Sequence, residues 1–126
     1  MSKVYAVSAV VIFSLMLACS KSAPQSEARD ILNEMTVAAS TAAGKLDRAA
    51  TAQEAADIMK AFKSEMTALA AKGEKFDKKN PGVNVMKDPE FQSERDAYMD
   101  SMKKYGISSM KVRIRFDGAK ELAGMD

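Results

Sequence analysis

Histidine and tryptophan are absent from this chain, and cysteine occurs once in 126 residues. Without His there is no Ser–His or Cys–His nucleophile pair, and no zinc site built on imidazole. A single Cys excludes an internal disulfide framework, a multi-Cys metal site and haem attachment through paired cysteines. Aromatic residues make up only 6% and prolines number three. What remains is rich in Ala, Lys, Glu, Asp and Met, the composition of helices packed on helices rather than of a sandwich or barrel. A dominant charge is missing as well: 19 basic residues face 17 acidic ones. Bulk charge therefore nominates no nucleic acid partner, and Tyr5, Tyr98 and Tyr105 supply no stacking platform for one. The length allows one ordinary domain.

What is present begins at the N-terminus. Lys3 is followed by an uncharged, apolar stretch from Val4 to Ala18, and then at once by Cys19. Fifteen residues fall short of the roughly 20 needed to span a bilayer as a helix, and they suit the apolar region of a signal peptide. From these residues alone, a secretory peptide leaving a free thiol and an uncleaved anchor both stay open.

The segment Leu15-Met16-Leu17-Ala18-Cys19 resembles a bacterial lipobox, with Met16 standing where that pattern usually has Leu. The resemblance covers about twenty residues and implies cleavage between Ala18 and Cys19, followed by acylation of Cys19. Several acyl chains on one residue give stable anchoring where a single chain is marginal. Ser20, rather than Asp, after the Cys implies the outer membrane, with the body facing the periplasm. The division expected is therefore a signal peptide over 1–18, a lipidated Cys and short tether over 19–25, and a helical domain over 26–126. Loss of residues 1–18 removes one cation, so 18 basic and 17 acidic residues remain.

Behind the tether, Ala28, Leu32, Met35, Ala39, Ala42, Leu46 and Ala49 alternate in steps of four and three, which predicts a helix over about 26–50 with one apolar seam. Thr51-Ala52-Gln53-Glu54 matches a capping box, the clearest start signal in the chain. Ala55, Met59, Phe62, Met66, Leu69, Gly73 and Phe76 form a second seam, ended by Asn80-Pro81-Gly82. The two seams are expected to meet. Asp88-Pro89-Glu90 opens a third helix with Phe91, Tyr98, Met102 and Tyr105 on one face. Gly106 is a candidate break, and Lys111 to Phe116 also alternates as a strand would. A lone strand has no sheet to join, so helix is expected to about Leu122. The fold class predicted is all-α: an elongated antiparallel three-helix bundle, a helical hairpin plus a third helix with Gly106 as its candidate break.

Few residues suggest chemistry. Met99, Met102 and Met110 could offer thioethers to a soft metal, but Met more often fills gaps in helical cores, so no metal or cofactor is expected. The pairs Glu90/Glu94 and Asp96/Asp100 lack the apolar cleft that acid–base work requires. Lys103, Lys104, Lys111, Arg113 and Arg115 form a run without acids that could meet an anionic surface, or simply be a solvated helix face. The reading is a membrane-anchored, non-enzymatic envelope lipoprotein of interaction or structural type, with an envelope protein or a second copy as partner. The alternative is a ligand-binding module holding a small apolar molecule or soft metal between helices.

Overall fold

The computed structural model describes residues 24–125. The lipobox, Ala18 and Cys19 lie outside the described residues. Three helices make the body: α1 (Pro24–Arg48), α2 (Ala52–Lys79) and α3 (Gln92–Arg115), with 3-10 turns at Pro89–Phe91 and Lys120–Leu122. Among the described residues there is no strand, and the architecture is an all-α three-helix bundle running up, down and up.

Each helix begins and ends for a local reason. Pro24 opens α1, where its missing N–H is no loss, so the helix starts two residues before the expected boundary. Only the last residue of the hairpin connection, Thr51, acts as a cap: its Oγ1 accepts from the Glu54 N–H at 3.1 Å. Glu54 Oε2 in turn accepts from the Ala50 N–H at 3.1 Å. The box thus closes one residue further back than the standard pattern, which would use the Thr51 N–H. Asn80 ends α2, with its backbone N–H and its side-chain amide both donating to the Phe76 carbonyl, at 2.9 and 3.1 Å.

The third helix is helical through the segment where helix was expected and departs from expectation at its end. It runs through Gly106 and through the alternating Lys111–Arg115 segment without a break. It then stops at Arg115 rather than near Leu122. Gly118 takes a positive φ of 81°, a conformation that favours glycine. That turn sends the chain back, and the Lys120–Leu122 turn packs on α2 with Leu122 buried.

The core lies around α1, which is covered on two sides. The expected seam is buried except for the half-buried Met35, but Ile31, Ala38 and Ala43 are buried beside it. The two seams meet as expected, and α1 also meets α3, over a greater extent than it meets α2. Small groups make this approach possible. Ser40 and Ser101 share a hydrogen bond of 2.9 Å between α1 and α3, and Ser101 and Ser108 are the buried polar residues of the core. Three clusters fill the length of the bundle. Ala28, Ile31, Phe76 and Phe91 pack at one end, Ala38, Ala39, Ala42, Phe62 and Leu69 in the middle, and Leu46, Ala55, Met59 and Val112 at the other.

Candidate binding cleft

Two helices docked on the same third helix need not touch each other. Here α2 and α3 make few close backbone approaches, and the space between them is an open cleft of about 700 Å³. That volume falls within the range of small-molecule sites, roughly 300–1,000 Å³. From α2 come Met59, Phe62 and Met66; from α3 come Tyr98, Met102 and Tyr105. Met35 of α1 reaches the cleft between them, and Met125 of the C-terminal segment lies at one end. The Phe62 and Tyr105 rings bridge the two walls, with centroids 4.1 Å apart and planes tilted by 32°.

The charged groups lining this cleft among the described residues share one sign. Among these described residues, Lys60, Lys63 and Arg113 contribute to its lining and no carboxylate does. Lys60 and Lys63 take part in no ion pair among the described residues. Arg113 also donates from Nη2 to the Met125 carbonyl, which fixes the C-terminal segment at the cleft's end. The Thr67 hydroxyl on the same lining is satisfied internally, donating to the Lys63 carbonyl at 2.8 Å. Burial raises the pKa of the Tyr105 phenol above its ordinary value, against a smaller lowering by the Arg113 charge. The cleft can therefore hold an apolar body and meet negative charge at its edge. It offers no nucleophile–base pair.

The five cations of the 103–115 run do not converge. Arg115 donates to the carbonyls of Leu46 and Ala49, each at 3.0 Å, where cationic N–H groups suit the negative end of α1. Arg113 serves the cleft end. Lys104 pairs with Asp100 at 3.3 Å, and with Lys111 it lines a shallow groove between α1 and α3. Only Lys103 shares the outward face of α3 with Met99 and Met110, by helical spacing. Those two thioethers, exposed and separated by eleven residues, stand about 16 Å apart along the axis, so the Met99, Met102 and Met110 set does not surround one point. The described residues contain no group of three Cys, Asp or Glu side chains placed to hold a metal ion.

The paired carboxylates are occupied structurally. Glu90 and Glu94 both reach Arg29 of α1, at 3.6 and 3.5 Å, while Asp96 accepts from Gln92 at 3.2 Å. Arg29 also stands over the Phe91 ring at 5.4 Å. Arg95 donates to the carbonyls of Val85 and Asp88, each at 2.7 Å, tying the α2–α3 connection to α3. No helix among the described residues is long and apolar enough to cross a membrane. No protein family, curated protein or solved structure matches this chain.

The cleft was not apparent from sequence because its methionines were read as core filler. One signal was available. Lys60 and Lys63 flank the second seam on the side of Met59 and Met66, while the Tyr98–Met102–Tyr105 face of α3 had no assigned partner. A third apolar face with two helices already committed to each other implies a surface left open.

Proposed function

We propose that this chain is an exported bacterial lipoprotein, acylated on Cys19, whose helical body is a non-enzymatic binding module held near the membrane. The observation that carries the binding role is the α2–α3 cleft, with its methionine and aromatic lining and its cations unopposed by carboxylates. Methionine side chains are unbranched and polarizable, which lets one surface fit ligands of differing shape. The anchor rests on the lipobox resemblance and on the short tether: from Cys19 to the start of α1 at Pro24 the chain spans about 17 Å at most, so the body works close to the surface that holds it. Ser20 favours the outer membrane, with the body in the periplasm.

Metabolic labelling with radioactive palmitate tests the anchor. The wild-type protein is expected to incorporate label and to fractionate with envelope membranes, whereas Cys19→Ser carries none. Label retained by Cys19→Ser would remove the anchor assignment.

A second reading, docking to an envelope protein or a second copy, is favoured by a separate feature. Met99, Ile107, Met110 and Ile114 are exposed along α3, away from the Ser101, Ser108 and Val112 side that is buried. Photocrosslinking groups at 99, 107, 110 and 114 in intact cells would trap such a partner. Absence of a crosslinked species from all four positions would discard this reading.

A further inference from the structure

We infer that the α2–α3 cleft takes a single-chain anionic amphiphile, such as a fatty acid or an anionic lysolipid. This rests on the reading of the cleft as a binding site and specifies what occupies it. The argument comes from how polarity is distributed along the cleft. On α2, Lys60 and Lys63 stand nearer the Ala52 end than Met66 and Ala70 do. On α3, which runs the opposite way, Ser109 and Arg113 lie beyond Tyr98 and Met102 toward Arg115. Both walls therefore carry their cations at the same end of the bundle, where the hairpin connection and the C-terminal segment lie and where Met59 and Met125 also line the cleft.

The opposite half is lined by Met35, Met66, Ala70, Tyr98 and Met102. Its one aliphatic hydroxyl, on Thr67, is already spent on its own helix. An apolar chain laid along this half gains from leaving water, at roughly 0.8 kcal/mol per buried methylene. A carboxylate or phosphate at the other end meets two ammonium groups and one guanidinium, with no acid among the described residues lining the cleft to repel it. A neutral amphiphile would leave Lys60 and Lys63 without an ion-pair partner among the described residues. A dianion lacking a chain would leave the methionine half wet.

The test uses the full-length protein reconstituted in phosphatidylcholine vesicles, with photoreactive palmitate or the matching photoreactive alcohol as probe. Crosslinked residues are mapped by mass spectrometry. The acid is expected to label Met66, Tyr98 or Met102 about five-fold more than the alcohol does, the size expected for two partly exposed ion contacts. Lys60→Glu with Lys63→Glu should reduce the acid to the alcohol's level. Both lysines are exposed, so unchanged helical circular dichroism certifies the variant. Competition by palmitate against competition by lysophosphatidylglycerol separates a free acid from a lipid headgroup as the source of charge. Equal labelling by acid and alcohol, indifferent to charge reversal, overturns the anionic assignment while leaving the cleft a ligand site. Label that avoids the cleft altogether overturns both.

Discussion

At the residue scale, the arginines do what the run of cations did not suggest. Arg115 joins the C-terminal ends of α1 and α3, across sequence separations of 66 and 69 residues, and its guanidinium also stands 4.9 Å from the Phe116 ring centre. Its N–H groups satisfy carbonyls that the end of a helix leaves unpaired. Arg115→Ala should lower unfolding free energy by about 1–2 kcal/mol, read by urea denaturation, and Arg115→Lys should recover part of it. Tyr105 makes a second residue-level expectation. Its phenol is held neutral by burial, so it ionises at higher pH folded than unfolded. Its contribution is complete below the ordinary tyrosine value near 10 and is lost as pH rises through the raised folded value. Stability should therefore fall on the alkaline side, and Tyr105→Phe should make that fall shallower in pH-dependent denaturation. An identical slope in the variant would contradict the assignment.

Among the elements, α1 is the one whose sequence pattern understated its role. Its heptad seam was legible, as were the capping box at Thr51 and the stop at Asn80, because each depends on neighbours within a few residues. The second buried strip of Ile31, Ala38 and Ala43 was not, since small residues beside a seam look the same whether covered or bare. Ser101 and Ser108 were passed over for a related reason: hydroxyls are usually exposed, yet here small size lets α3 lie close to α1. The end of α3 depended on Gly118, and a lone glycine in a helical pattern does not announce a positive φ. Close packing through small groups leaves little room for added volume. Ala39 has no exposed surface, so Ala39→Leu should cost about 1–3 kcal/mol through overpacking. The exposed Val37→Leu, two residues away, should change stability by less than about 0.5 kcal/mol. Thermal melts of the two variants compare them directly.

On the scale of the whole molecule, the arrangement places both ends of the cleft in relation to the anchor. Four residues separate Cys19 from Pro24, and α1 with 25 residues is about 38 Å long. The end where α1 begins, packed with Phe76 and Phe91, is thus the end nearest the lipid in the proposed assembly. The cationic end of the cleft lies at the other extremity. This relation could not be read from spacing alone, because it depends on which pair of helices stays apart. Lining that space with methionine has a consequence in the chemistry of oxidants. Each thioether becomes a sulfoxide on oxidation, which exchanges a soft apolar contact for a strong dipole. Dilute hydrogen peroxide should first modify Met86, Met99 and Met110, at 70, 65 and 63% exposure, and only later Met59 at 5%, as followed by peptide mass spectrometry. The fold should outlast the first wave. Met35, Met66 and Met102, half-buried on the cleft, fall between those extremes. Their oxidation would make the apolar half of the cleft polar, so the body could stay helical while its binding surface is lost.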